Sequence, residues 1–419
     1  MNYTTVAKCR LCGSADLTTL FSLGEQFVSS FVSKEEITSG PKVPIDIDLC
    51  RSCTLVQQRH TAPQDFLYTR FYWYRSSVTA TMRDALRDVV ESAAKSVDLQ
   101  TGDVALDIGA NDGQLLSNYA EGIIRVACEP AKNLHAECRE RCAVLLDDFW
   151  DADSYFQRVP KKAKVVTACG CFYDLLDPND FIADVAKVLH PEGVFIAQLM
   201  CLKQTLEKRD VGNFAHEHLE FYSLYSLAEL FRRHGLKICD IEENSVNGGS
   251  YRPYVRHDCD RAGHPYDGGL DLPSYVQRTC DAFLVERNLE LNRPETYTAF
   301  FQELEQNKAR CMTFIRSAVA AGKRVWVYGA STKGNVILQY YGLDHTLIEG
   351  AADRSPDKVG LYTVGTGIPI HDEETFRQAN PDYALVLPYA FREEFLSRES
   401  AWRERGGRFI FPLPEFEVV

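Results

Sequence analysis

The chain reads as an α/β protein, two parallel-sheet units behind a small metal-binding segment, and three observations carry that reading. From Asp103 onward, short apolar runs alternate with helical stretches, the grammar of a doubly wound parallel sheet. Two of those runs end in glycine turns, Gly109-Ala-Asn-Asp-Gly113 and Gly329-Ala-Ser-Thr-Lys-Gly-Asn335. Upstream, four of the 14 cysteines form two C-x-x-C pairs, Cys9/Cys12 and Cys50/Cys53. With 419 residues, 45% hydrophobic and 25% charged, the chain can fill two or three cores. The expected division is a zinc-binding domain over 1–62, a central domain with a helical lead-in over 63–245, and a C-terminal substrate-binding domain over 246–419, helical connector first.

A C-x-x-C turn converges two thiolates on one ion at about 2.3 Å, and two such turns supply a closed tetrahedral shell suited to structural zinc. The long stretch between Cys12 and Cys50 is expected to fold as a hairpin excursion. After it comes an aromatic cluster, Phe66-Leu-Tyr68-Thr-Arg-Phe71-Tyr72-Trp73-Tyr74, and then a helical pattern from Val78 to Val97. Such a cluster packs a domain junction or presents phenol hydroxyls to a cleft. Val104–Ile108, Ile124–Cys128, Val144–Leu146, Val165–Ala168 and Val194–Leu199 read as short buried strands. The segment from Leu272 to Ala320 is helix-rich, and Lys323–Tyr328 opens a second α/β unit that runs through Tyr383–Leu387.

The formal net charge of −13 offers no global attraction to nucleic acid or to an anionic membrane. No stretch is apolar and long enough to span a bilayer, and the N-terminus lacks a signal-like apolar region. The expected setting is the cytoplasm and the expected partner a small molecule, with monomer and homodimer both open.

The first glycine turn follows Leu106-Asp107-Ile108, and Leu115 is expected to begin a helix after it. The pattern is G-x-N-D-G, not the G-x-G-x-x-G that seats a pyrophosphate on a helix N-terminus, which disfavours a dinucleotide. The second strand ends at Cys128-Glu129-Pro130, where a carboxylate accepts two hydrogen bonds from ribose hydroxyls. That pairing suits a nucleoside cofactor without phosphate, and it resembles the class I S-adenosylmethionine (SAM) methyltransferases, whose central domain is Rossmann-like. The resemblance implies that Asp107, Gly109, Asn111 and Gly113 frame the methionine portion, Glu129 holds the ribose, and Asp148 and Phe149 flank the adenine.

The densest polar cluster beyond the last of these strands is Asn213-Phe-Ala-His216-Glu217-His218-Leu219-Glu220-Phe-Tyr222-Ser223. It lacks the H-E-x-x-H spacing of a zinc protease. A histidine titrating near neutrality beside a carboxylate is suited to removing a proton next to a ketone. The paired C-x-x-C start, the G-x-N-D-G loop, the H-E-H motif followed by Tyr-Ser, Asn247-Gly-Gly-Ser250 and the second glycine turn occur in one order across nearly the whole chain. Together they resemble the nucleotide-sugar C-methyltransferases. In that family a zinc-binding domain, a methyltransferase domain and a second Rossmann-like α/β domain enclose a dTDP-4-keto-6-deoxysugar, which is methylated at the ring carbon beside the ketone during deoxysugar, antibiotic or surface-polysaccharide biosynthesis.

The resemblance implies that His218 is the base and Glu217 its orienting or sugar-binding partner, with Tyr72 or Tyr74 stabilising the enolate. It implies further that Ser331, Thr332, Lys333 and Asn335 bind the nucleotide diphosphate, that Asn247, Ser250 and Arg252 line the same cleft, and that His216 and Tyr222 touch the sugar. Asp353 and Arg354 follow the next strand, near a nucleoside. Zinc stays structural. Two positions depart from the family pattern: Ala215 stands where a tyrosine is usual, and Asp174, or Tyr173 beside it, stands where a further catalytic histidine is usual. Other keto-sugar nucleotides, a non-sugar keto acid, or an O or N acceptor therefore remain open, as does a non-catalytic zinc-domain binding protein.

Overall fold

The computed structural model describes residues 3–69, 72–258 and 274–419. Arg70 and Phe71 of the aromatic cluster, and the expected start of the helix-rich segment at Leu272, lie outside the described residues. The N-terminal segment is an antiparallel sheet of β1 (Leu17–Phe27), β2 (Lys42–Cys50) and β3 (Val56–Gln58). The excursion between the cysteine pairs is thus the β1–β2 hairpin, paired from Leu17↔Cys50 to Phe27↔Lys42. A short strand from far downstream, Glu220–Phe221, adds to the free edge of β3.

The helix α1 (Ala80–Ser96) leads into the central sheet, built from β4 (Val104–Ile108), β5 (Ile124–Cys128), β6 (Val144–Leu146), β7 (Ala163–Cys169), β8 (Leu189–Met200), β9 (Leu236–Asn244) and β10 (Ser250–His257). Their order is β9-β10-β8-β7-β4-β5-β6. The strands from β4 to β8 run parallel, and β10 is antiparallel to both its neighbours. Every residue of β4 is buried, as expected of a parallel strand covered on both faces. The strand order reverses at β4, between β5 and β7, so the carboxyl ends of these strands open a crevice for a ligand. The expected boundary at 245 falls between two paired strands, since β10 completes this sheet.

One expected element is absent. After Gly113 the chain forms only a single 3-10 turn, Leu116–Asn118, rather than a helix from Leu115. The sheet face that helix would cover is already occupied by α1, whose Leu86, Val89, Val90 and Ala93 pack with Ala105, Leu115, Leu116 and Tyr119.

Two helices, α2 (Ser274–Asn288) and α3 (Pro294–Ala320), lead to the C-terminal sheet. Its strands are β11 (Val325–Tyr328), β12 (Ala351–Ala352), β13 (Ile370–His371), β14 (Tyr383–Val386), β15 (Arg408–Phe411) and β16 (Glu417–Val418). They lie in the order β13-β12-β11-β14-β15-β16, all parallel except the last. Gly329, at φ +86°, makes the turn after β11, and a Cβ there would sit 2.5 Å from the Pro388 ring. The helix α4 (Thr332–Tyr341) follows, capped by the Ser331 hydroxyl, which accepts from the Gly334 N–H.

The N-terminal segment also grips this last unit. Gln339 on α4 exchanges two hydrogen bonds with the Phe27 main chain, at 2.8 and 3.0 Å, and Phe31–Val32 pairs with Tyr362–Thr363. No helix among the described residues is long and apolar enough to cross a membrane.

Candidate functional site

The carboxyl ends of the central and C-terminal parallel strands border one cavity of about 760 Å³. On the central side, Asp107 at the end of β4 accepts a hydrogen bond from the Thr167 hydroxyl at 2.6 Å, and burial pushes its carboxyl up to about 7. Gly109 then turns at φ +70°, where a Cβ would lie 2.8 Å from the Cys171 sulfur. Glu129 accepts from the Asn111 and Ala131 N–H groups, both at 2.7 Å, and burial raises it to about 7 as well. Each of its oxygens keeps a free lone pair. Asp107, Gly109, Asn111, Glu129 and Phe149 all line the cavity.

The same turn fixes the aromatic segment. Asn111 accepts from Ser76 N–H at 3.0 Å and donates to the Tyr74 carbonyl at 3.1 Å, while the Asp112 carboxylate accepts from the Ser76 hydroxyl at 2.6 Å and Ser77 N–H at 3.0 Å. Asn133 exchanges two hydrogen bonds with the Tyr72 main chain. Tyr72 and Tyr74 are thereby set in the cavity wall.

The H-E-H segment enters from the side. His218 donates its Nδ1 hydrogen to the Asn213 carbonyl at 2.7 Å, which leaves Nε2 as a lone-pair acceptor. Its ring stands edge-on to Tyr173 at 4.7 Å and lines the cavity. Burial, aided by the Lys333 charge, lowers its pKa to about 3, so the imidazole is neutral. Burial raises Glu217, which Thr332 hydrogen-bonds and Lys333 partly offsets. Burial, with Glu217 and Glu220 nearby, raises the Asp174 carboxyl well above its ordinary value. Its Oδ1 is buried with no partner among the described residues. A lone-pair acceptor, His218 Nε2, and a carboxyl of raised proton affinity, Asp174, thus share one wall, an arrangement suited to enolisation.

On the C-terminal side, Ser331, Thr332 and Lys333 line the cavity beside Asn247, Asp353 and Arg354. The Lys333 ammonium reaches the Asn247 carbonyl at 3.4 Å and Asp210 at 3.8 Å, and the Tyr389 hydroxyl donates to Asp210 at 3.0 Å. Asp210, Tyr389 and Tyr68 are cavity residues that the sequence pattern did not single out. Tyr68 belongs to the aromatic cluster and donates to the Glu217 carbonyl at 3.3 Å. Asp210 carries no local signal; Tyr389 was traceable only as a residue just beyond the strand next to the second glycine turn.

Seven expected site residues are not in the cavity wall. Arg252 is buried under α1, donating to Gln198 at 2.8 Å and Asp88 at 2.7 Å, and so bolts α1 to the sheet. The Ser250 hydroxyl closes its own turn on the Val246 carbonyl. His216 donates to the Val43 carbonyl at 2.9 Å, and Asn335 to the Ser30 carbonyl at 3.1 Å, both stitching to the N-terminal segment. Tyr222 packs on Phe172 in the core. The Asp148 carboxylate accepts from Phe149 N–H beside the cavity, and Gly113 faces Cys138 and Arg141.

The four N-terminal sulfurs lie within 4.8 Å of one another, with Cys9 to Cys53 at 3.4 Å and Cys12 to Cys50 at 3.5 Å. Four thiols so clustered, with no disulfide, fit a closed tetrahedral zinc shell.

Residues 9–68 match a putative zinc binding domain, residues 78–241 a methyltransferase domain, and residues 245–414 a C-methyltransferase C-terminal domain. The C-methyltransferase NovU of Streptomyces niveus is 29% identical over 99% of this chain and 97% of its own. Among solved structures, the magnesium protoporphyrin IX methyltransferase of Synechocystis PCC 6803 with bound SAM covers 42% of this chain and 79% of its own at 11% identity and a TM-score of 0.32. The mitomycin 7-O-methyltransferase MmcR covers 42% and 55% at 19% identity and a TM-score of 0.33. The three consecutive domain matches account for nearly the whole chain, which is a SAM-dependent methyltransferase with an N-terminal zinc-binding domain and a C-methyltransferase C-terminal domain.

Proposed function

We propose that this enzyme transfers a methyl group from SAM to the carbon beside the ketone of a nucleotide-linked 4-keto-deoxysugar, a dTDP-sugar in the first instance, in the cytoplasm. The observation that carries the reading is the shared cavity, whose wall joins Asp107 and Glu129, His218 and Asp174, and Ser331 to Lys333. Asp107, Gly109, Asn111, Glu129 and Phe149 would hold the cofactor. SAM, when bound, supplies an electrophilic methyl sulfonium.

His218 Nε2 takes the proton alpha to the carbonyl. Asp174 donates a hydrogen bond to the carbonyl oxygen as charge develops there, with Tyr72 or Tyr74 beside it. Glu217 accepts from a sugar hydroxyl. Ser331, Thr332 and Lys333 receive the diphosphate, with Lys333 exchanging Asp210 for phosphate. A diphosphate there also cancels the Lys333 field that, after burial, depresses His218, so the base strengthens once the nucleotide is seated. Tethering both reactants in one cavity supplies the near-attack alignment that carbon–methyl bond formation needs.

The test is incubation with SAM and a panel of dTDP-4-keto-6-deoxysugars and small keto acids in deuterated water. The sugar nucleotide is expected to gain one carbon-bound methyl group and, when SAM is replaced by S-adenosylhomocysteine, one alpha deuterium. His218→Gln is expected to keep SAM affinity and lose exchange by about 10²–10⁴-fold. Methyl on a keto acid or on oxygen, or full exchange in the variant, contradicts the reading.

A further inference from the structure

We infer that the zinc-binding segment is the jig that sets the proposed base, with Gln58 as the positioning residue; this rests on His218 acting as base. Residues 215–219 form no helix, and beyond one turn bond from the His218 N–H to the Ala215 carbonyl at 3.0 Å the segment needs hydrogen-bond donors from elsewhere. Gln58, fully buried, supplies them: its side-chain amide donates to the His218 carbonyl at 2.9 Å and to the Ala215 carbonyl, while its main-chain N–H donates to the Leu219 carbonyl at 2.9 Å. The next residues pair as strands, Glu220 with Gln57 and Phe221 with Val56. His216 adds its bond to Val43 on β2. The H-E-H segment is therefore held on both sides of His218 by the N-terminal sheet.

That sheet is in turn tied to both cysteine pairs. Strand β3 starts directly after Cys53-Thr54-Leu55. Arg10, between Cys9 and Cys12, donates its main-chain N–H to the Gln57 side chain at 2.8 Å and its guanidinium to the Gln58 carbonyl at 3.4 Å and to the Thr61 hydroxyl at 2.7 Å. An ion gripping the four sulfurs locks the two turns together and fixes the register of β3, hence the direction of His218 Nε2. The turn proposed to hold SAM, Gly109 to Gly113, does not use these contacts, so the two effects separate. A base displaced by about 1 Å loses on the order of 10²-fold in rate.

The experiment uses the full-length zinc-loaded enzyme. Gln58→Met, which keeps volume and removes the donors, is expected to lower kcat and alpha-deuterium exchange on dTDP-4-keto-6-deoxyglucose by about 10²-fold, with KM and SAM affinity within about twofold. Histidine-selective ¹⁵N NMR, with the His218 ring assigned by its loss in His218→Gln, is expected to show those ring signals displaced in Gln58→Met. Withdrawal of zinc from the native chain by a chelator is expected to displace the same signals while SAM affinity holds. Full kcat in Gln58→Met, His218 signals unmoved in either arm, or SAM affinity collapsing with zinc withdrawal overturns the inference. Should Gln58→Met itself lose SAM, the zinc-withdrawal arm decides. Retained exchange in His218→Gln instead overturns the assignment of the base, a separate failure.

Discussion

The two glycine turns begin alike and end as electrostatic opposites. After β4, Gly109 to Gly113 is walled by Asp107 and Glu129 and leads only to the 3-10 turn Leu116–Asn118. After β11, Gly329 leads to α4, a ten-residue helix whose second residue is Lys333. The first turn presents carboxylates and no helix N-terminus, which suits a cationic, phosphate-free nucleoside. The second presents the positive end of a helix dipole and an ammonium, which suits phosphate. Backbone grammar marks both only as strand–glycine turns; the side chains around each suggest the ligand we propose for it.

Breaking that division at its strongest point means reversing the charge of the second turn. Lys333→Glu is expected to raise KM for the sugar nucleotide by more than about 10²-fold, because a repelling carboxylate replaces a charge-assisted contact, while SAM affinity measured by calorimetry stays within twofold. The reciprocal change is smaller. Glu129→Ala is expected to weaken SAM by about 10–100-fold and leave sugar-nucleotide affinity unchanged, since two charge-assisted hydrogen bonds to ribose are lost. A variant that moved both affinities together would dissolve the distinction between the turns.

The smallest effect is in pH. Asp107 and Glu129 have folded pKa values of about 7, above the value near 4 of an unfolded carboxyl. Between those values the folded state holds protons that the unfolded chain has released, so the ligand-free enzyme loses stability as pH rises from about 4 to 7 and levels off above. Asp107→Asn is expected to flatten that slope, reducing the fall in Tm by roughly 2–4 °C across the window. Thermal melts at pH 5 and pH 8 check it; an unchanged slope argues that Asp107 is already ionised at low pH.

Much of this was legible in the sequence because it is local. Val104–Ile108 and Ile124–Cys128 appear as strands with the bounds read from apolar runs, and the C-x-x-C pairs announce four converging sulfurs. The missing helix after Leu115 was not legible, because the face it would cover is filled by α1 from earlier in the chain. Arg252 sits next to Asn247-Gly-Gly-Ser250 in sequence, yet strand alternation sends it to the α1 face of the sheet. His216 and His218 are neighbours of one motif, but only His218 reaches the cavity, since His216 points at Val43. Asp210 meets Tyr389 across 179 residues of sequence, a contact that no spacing rule encodes.

The most direct test is a crystal structure of the enzyme with S-adenosylhomocysteine and a dTDP-sugar bound together. The expected result is ribose hydroxyls on Glu129, the diphosphate on Lys333 with Asp210 released, and His218 Nε2 facing the sugar carbon beside C4 within one cavity. Phosphate seated on the Gly109 turn, or the two ligands in separate cavities, contradicts the account.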